Sequence, residues 1–149
     1  IDHYYIRMDS WHHHGKPGVY EKAPSPPYVG SIHRARLRLD GYLSADAGNA
    51  GGQFVTPPIV FSGSRLELNA DTGARGLVEI GLERVESDVA AWMPRVSDFS
   101  IGECDQVVCN SIARVVSWNG NEDVSSLAGK PVRMHVRMRN AKLYAFQFV

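Results

Sequence analysis

From Val132 to Met138 every second residue is apolar (Val132, Met134, Val136, Met138), and the residues between are Arg133, His135 and Arg137, with Arg139 continuing the polar series. A period of two is the repeat of a pleated strand, so one set of side chains meets a core and the other meets water. A strand buried on one face belongs to an antiparallel sheet of the kind that packs in β-sandwiches. The pattern recurs upstream. Leu66, Leu68 and Ala70 alternate with Arg65, Glu67 and Asn69; Val78, Ile80 and Leu82 with Glu79 and Glu83; Ala35, Leu37 and Leu39 with Arg34, Arg36 and Arg38.

Turn residues punctuate these runs. The stretch DAGNAGG, residues 46–52, draws on glycine's freedom at positive φ, and Asp71-Thr72-Gly73 and Asn119-Gly120 are turn signals. Pro57 and Pro58 donate nothing to a ladder, so FVTPPIVF reads as an edge or bent strand. IARVVSW reads as a strand, DVSSLAG as one short helical turn, and PVRMHVRM and KLYAFQFV as two strands joined at Arg139-Asn140-Ala141. No amphipathic helix is evident. About seven to nine short strands spaced by turns predict an all-β fold, an antiparallel sandwich or jelly roll. Its core is expected from Leu37, Leu39, Leu66, Leu68, Val78, Ile80, Leu82, Val116, Val132, Met134, Val136 and Phe146.

The first thirty residues are different in kind. HYYIRM suits a strand, but the next stretch, DSWHHHGKPGVYEKAPSPPYVG, is rich in Pro, Gly, His and aromatics, and its prolines exclude a helix or central strand. Residues 1–30 are therefore expected to form an extended arm or linker, and residues 31–149 the sandwich. At 149 residues the chain is long enough to bury its own core. Sixteen basic and sixteen acidic residues cancel, which speaks against general nucleic-acid binding and against attraction to an acidic membrane. No apolar run approaches the ~18 residues that span a bilayer. The chain begins at Ile1 and reads as a mature or trimmed piece of a longer polypeptide. Cys104 and Cys109 either close a small disulfide loop or remain two free thiols, and two cysteines alone do not make a zinc site.

Several side chains are candidates for chemistry. Trp11, Tyr20 and Tyr28 lie in the arm, where aromatic rings can stack on sugar faces. His12 and His14 share a face of an extended chain and can ligate a metal with a third group, or belong to a solvated loop. Arg34, Arg36 and Arg38 form one outward stripe; Arg133, His135, Arg137 and Arg139 form another. Such stripes suit sulfated or carboxylated polysaccharide, which arginine grips bidentately. The rival reading is that Glu67, Glu79 and Glu83 on intervening strands neutralise them. The loop acids Asp40, Asp46, Asp71, Asp98, Glu103, Asp105, Glu122 and Asp123 read first as turn chemistry. Asp46 with nearby carbonyls, or Asp123 with Asn119 and Asn121, is the alternative, a structural calcium site. No nucleophile elbow, phosphate loop or zinc-protease motif occurs.

The stretches RLDGYLSADAGNAGG, FSGSRLELNADT, FSIGECD and RVVSWNGNEDVSSLAGKPVRMHVRMRNAKLYAFQF together resemble a module of uncharacterised bacterial proteins of planctomycete type. There the module is similar to the C-terminal β-sandwich of larger proteins whose other part is a five-bladed propeller of the glycoside hydrolase family 32 and 43 type. The resemblance covers about three quarters of the chain, from about Leu37 on. It implies a concanavalin-like sandwich attached to a propeller-type domain or chain preceding residue 1. Any catalytic acids would belong to that propeller. Residues 86–97 depart from the pattern, and Cys109 is extra to it.

The expectation is thus a non-catalytic accessory module, secreted or periplasmic and without a cofactor. It braces a catalytic domain, binds polysaccharide weakly, or does both. The binding residues expected are Trp11, His12, His14, Tyr20, Arg34, Arg36, Arg38 and Arg137. The alternatives are a small jelly-roll enzyme using the histidine arm on polysaccharide, and a purely structural interaction domain.

Overall fold

The alternating runs at 66–71, 77–84 and 132–139 are all strands in the structure, a computed structural model that describes residues 1–8, 30–85 and 99–149. The chain forms two units, Ile1–Leu39 and Asp40–Val149.

In the first unit, β1 (Asp2–Met8) pairs antiparallel with β2 (Gly30–Arg36), setting Ile6 opposite Ile32 and Tyr4 opposite Arg34. The open end is tied by the Ile1 ammonium donating to the Leu37 carbonyl at 2.9 Å and by Arg36 Nε donating to Asp2 Oδ1 at 3.1 Å. Tyr5 and His33 stack with ring centres 5.2 Å apart. Here an expectation fails. Leu37 and Leu39 do not enter the sandwich core: Leu37 is half-buried and Leu39 exposed. The strand stops at Arg36, and its partner is β1, so these leucines follow a two-stranded ribbon instead of lining a sheet of the sandwich.

The second unit is an antiparallel all-β sandwich. Its strands are β3 (Ala45–Ala47), β4 (Gly52–Val55), β5 (Leu66–Asp71), β6 (Leu77–Arg84), β7 (Asn110–Val115), β8 (Val132–Arg139) and β9 (Ala141–Phe148). They make a four-stranded sheet in the order β3-β9-β5-β7 and a three-stranded sheet in the order β4-β8-β6. As read from the sequence, β4 is an edge strand, but it ends at Val55 before the two prolines, with Ile59 bridging to Val132 beyond them, and the short helical turn is a 3-10 turn at Ser125–Leu127. Val132, Met134, Val136 and Met138 of β8 are buried, as are Val78, Ile80 and Leu82 of β6 and Leu66, Leu68 and Ala70 of β5; Val116 joins them.

β8 and β9 are not a hairpin. One residue, Asn140 at φ 45°, joins them, yet they lie in different sheets, so the chain turns a corner between the layers there. Asparagine is among the few residues that adopt this left-handed conformation readily. Within β9 the inward parity changes. Ala70 faces Leu143 and Asn69 faces Ala145, which leaves Tyr144 as the extra residue of a bulge. The buried positions are odd-numbered before it (Ala141, Leu143); after it the core-facing rings are Phe146 and Phe148. Phe146, expected to be buried, is 37 % exposed. It lies edge-on to Phe148, which stacks on Phe61, and so sits on the rim of the core.

Among the described residues, the outer edge of β6 is closed by irregular groups and not by a strand. Val78 exchanges two backbone bonds with Val107, and the Leu82 N–H donates to the Phe99 carbonyl at 2.9 Å. Between them the Ile80 N–H donates to Cys104 Sγ at 3.2 Å and the Trp118 indole donates to the Ile80 carbonyl at 2.9 Å. The N–H groups of Val78, Ile80 and Leu82 and the carbonyls of Val78 and Ile80 thereby find partners, which blunts a template for edge-to-edge aggregation. Cys104 and Cys109 are free, so the disulfide alternative is not realised, and burial pushes the Cys104 thiol up to about 11.

Asn119 and Gly120 both have positive φ, 50° and 79°, in a two-residue turn whose flanking residues Trp118 and Asn121 exchange backbone bonds. Asp105 holds this turn: its Oδ2 accepts from Ser117 Oγ at 2.6 Å and from the Gly120 N–H at 2.8 Å. These donors keep its carboxyl below the usual 3.8. The unfolded chain then takes up the proton first as pH falls, so the stability that the charged Asp105 contributes is present above pH ~4 and is lost as pH drops through the depressed value. Asp105→Asn keeps an oxygen for the same donors but has no charge to lose. Thermal melts between pH 7 and pH 2.5 should show a shallower acid loss for this variant than for the parent. Parallel curves for the two proteins would mean that Asp105 does not couple folding to protons.

Candidate binding groove on the three-stranded sheet

Register alone sets the outer face of the three-stranded sheet. Gln53 of β4, Arg137 of β8 and Glu79 of β6 stand in one row; Val55, His135 and Gly81 stand in the next. Each row is a set of direct cross-strand neighbours on the face opposite the core.

The polar residues there are paired. Arg137 Nε donates to Glu79 Oε2 at 2.7 Å, and the carboxylate raises the guanidinium above its usual value. His135 Nε2 lies 2.8 Å from Glu83 Oε2. The expected neutralising ladder is thus built by Glu79 and Glu83. Glu67 belongs to the four-stranded sheet, where it accepts from Gln147 Nε2 at 2.8 Å. The two members of each pair differ in depth. The Arg137 and His135 side chains are 49 % and 40 % exposed, whereas Glu79 and Glu83 are 12 % and 14 % exposed. The acids lie low and the nitrogen-bearing groups face water.

One wall comes from the loop after Phe99. A Cβ added to Gly81 would stand 3.0 Å from the Ile101 backbone nitrogen and 3.2 Å from its Cβ, so Ile101 lies across the strand at the one residue that has no side chain. Gln53, Val55, Gly81, Ile101, His135 and Arg137 border an open groove of about 550 Å³.

A smaller depression of about 350 Å³ lies between Asp46, Asp71 and Lys142. Lys142 Nζ donates to Asp46 Oδ2 at 2.6 Å, and this bond, with one from Ser44, lowers the Asp46 carboxyl. Asp71 accepts from the Gly73 N–H at 2.9 Å and from Asn110 Nδ2 at 3.3 Å. The other carboxylate considered for calcium, Asp123, accepts from the Ser125 N–H at 2.8 Å, and Asn121 Oδ1 accepts from the Asp123 N–H at 3.0 Å. These are turn interactions. Among the described residues no three His, Cys, Asp or Glu side chains gather in a metal-holding group.

Trp11, His12, His14 and Tyr20 lie outside the described residues, as do Tyr28 and Asp98. Arg34 and Arg36 are exposed on β2, where Arg36 is bonded to Asp2, and Arg38 follows that strand. The two basic stripes are not neighbouring strands: β2 pairs with β1, and β8 pairs with β4 and β6. Of the expected binding residues, Arg137 borders the groove. Gln53, Val55 and Ile101 are not among the expected residues, and a single sequence carries no local signal for them.

Comparison of the chain with family models, with curated proteins and with solved structures gives no match.

Proposed function

We propose that this chain is a non-catalytic accessory module of a carbohydrate-active protein that binds polysaccharide weakly along the outer face of β4-β8-β6 and braces a neighbouring domain. The groove carries the reading. It is open to solvent and not enclosed, so it suits a chain lying across a sheet better than a small molecule sealed in a cavity. Gln53, His135 and Arg137 offer polar groups for hydroxyls, and Val55 and Ile101 offer apolar contact for the C–H face of a ring.

The acids on this face of the sheet support a binding role over hydrolysis. Glu79 and Glu83 are each held by a basic neighbour. Four residues apart on one strand, they are separated by about 13 Å at ~3.3 Å per residue. A glycosidase sets its two carboxyl groups roughly 5 to 9.5 Å apart. The bracing part draws on the resemblance to sandwich modules beside propellers and on the first unit. There Tyr4, Ile6 and Ile32 share one face of a two-stranded ribbon and are 68 %, 68 % and 77 % exposed. Such a ribbon is marginal alone and gains stability by laying that face on a partner, for which a propeller-type domain is the proposed candidate.

The test is affinity electrophoresis of the whole chain in gels containing a panel of polysaccharides, with reducing ends assayed in parallel. The expected result is weak retardation by at least one glycan, lost in the Gln53→Ala, Val55→Ala double variant, with no reducing ends released. Retardation that the double variant leaves unchanged places binding elsewhere, and turnover by the isolated chain makes it an enzyme.

A further inference from the structure

We infer that the groove selects an acidic saccharide unit, whose carboxylate or sulfate is taken by the outward edge of the Arg137 guanidinium. The inference rests on the glycan-binding reading above and deepens it. A guanidinium carries five N–H donors in a rigid fork. Arg137 spends the one on Nε on Glu79, at 2.7 Å, and among the described residues its Nη groups have no partner. The bond to a sunken carboxylate fixes the plane of the fork, and the half-exposed remainder presents a preformed bidentate site to the groove.

Three further features favour an acceptor-rich ligand. The Glu79 and Glu83 carboxylates lie beneath Arg137 and His135, so an incoming group meets donors before it meets anions. Gln53 is exposed, stands directly across from Arg137 in register, and its amide has no partner among the described residues. Neighbouring strands are about 4.8 Å apart, so the amide and the fork can engage a charged substituent and an adjacent hydroxyl of one sugar ring. Ile101, pressed over Gly81, supplies an apolar wall beside them. Because Glu79 balances Arg137, attraction is short-ranged and directional. The selectivity comes from contact geometry, and its salt dependence is expected to be no steeper than that of about one ion pair.

The experiment compares retardation of the whole chain by polygalacturonate, by dextran sulfate and by a neutral galactan. Two variants separate the contributions. Arg137→Lys keeps the charge and the ion pair with Glu79 but loses the fork. Gln53→Glu, at an exposed position, places a carboxylate beside Arg137. Thermal melts establish that each variant is folded. The expected result is that one or both acidic glycans bind the parent about tenfold more strongly than the galactan, and that each variant lowers acidic binding by about tenfold and galactan binding by less, so that the preference for the acidic glycan shrinks. Which acidic polymer binds distinguishes carboxylate from sulfate. Equal binding of acidic and neutral glycans, or acidic binding untouched by both variants, overturns the selectivity and leaves the glycan-binding reading standing. No retardation by any polymer removes both.

Discussion

Replacing Trp118 by alanine is expected to lower the stability of the sandwich by about 3–5 kcal/mol, the usual cost of truncating a large core aromatic. Trp118 is 3 % exposed and meets Phe99 edge-on at 5.1 Å. Its indole N–H is also the partner of the Ile80 carbonyl in the middle of β6, on the side where no strand runs among the described residues. Alanine therefore leaves a cavity and an orphaned carbonyl together. Trp118→Phe separates the two effects: a ring remains, but the Ile80 oxygen loses its donor, for about 1–3 kcal/mol. Urea unfolding reads both variants as a fall in midpoint at constant slope. If Trp118→Ala costs less than about 1 kcal/mol, the segment that closes β6 is not part of what stabilises the sandwich. If alanine and phenylalanine cost the same, the hydrogen bond outweighs the packing.

The irregular closure of β6 also marks where sequence reading stops. Period-two alternation found the cores of β5, β6 and β8 because the pleat puts every second residue on one face, whatever the partner strand. The prolines after β4 and the Asn119-Gly120 turn were legible because each acts through its own backbone. Pairing is a different matter. Nothing local in Arg34–Leu39 distinguishes a strand of the sandwich from one that pairs with β1. A single bulge at Tyr144 changes the parity of β9 and turns Phe146 toward the core side, where its place on the rim leaves it 37 % exposed; no alternation count contains either fact. The junction of β8 and β9 at Arg139-Asn140-Ala141 is legible, but not that Asn140 carries the chain into the other sheet.

The site was less legible than the fold for the same reason. The Arg133–Arg139 stripe was visible, and so was its neutralisation by Glu79 and Glu83, since both follow from alternation. The groove was not visible. It joins Gln53 and Val55 of β4, His135 and Arg137 of β8, and Ile101 of a loop, residues brought together by register and by the absence of a side chain at Gly81. The histidine arm is unusual in composition, whereas Gln53 and Ile101 are ordinary residues that gain a role from their neighbours.

The second large effect is expected at Gly76. Between β5 and β6 the chain turns through Asp71-Thr72-Gly73, and Thr72 is fully buried there. Its N–H donates to the Cys109 carbonyl at 2.8 Å, its Oγ1 accepts from the Cys109 N–H at 3.0 Å, and its carbonyl accepts from the Gly76 N–H at 2.9 Å. The corner between β8 and β9 presses on the other side. A Cβ at Gly76 would overlap the carbonyl oxygens of Thr72 and Asn140 and stand 2.8 Å from that of Arg139. All three obstacles are backbone, so no rotamer change relieves them. Gly76→Ala must therefore push the β5-β6 turn away from the β8-β9 corner, breaking the Gly76–Thr72 bond and loosening the join between the two sheets. A cost above about 3 kcal/mol is expected, the upper range for forcing atoms into a packed site. Gly73 provides the control. It has positive φ, 56°, but open space around its Cβ position, so Gly73→Ala should cost only the ~1–2 kcal/mol of a left-handed non-glycine residue. Denaturant midpoints of the two variants against the parent decide the matter. If Gly76→Ala is no worse than Gly73→Ala, the two corners are not in contact, and the close approach that locks one sheet to the other does not exist.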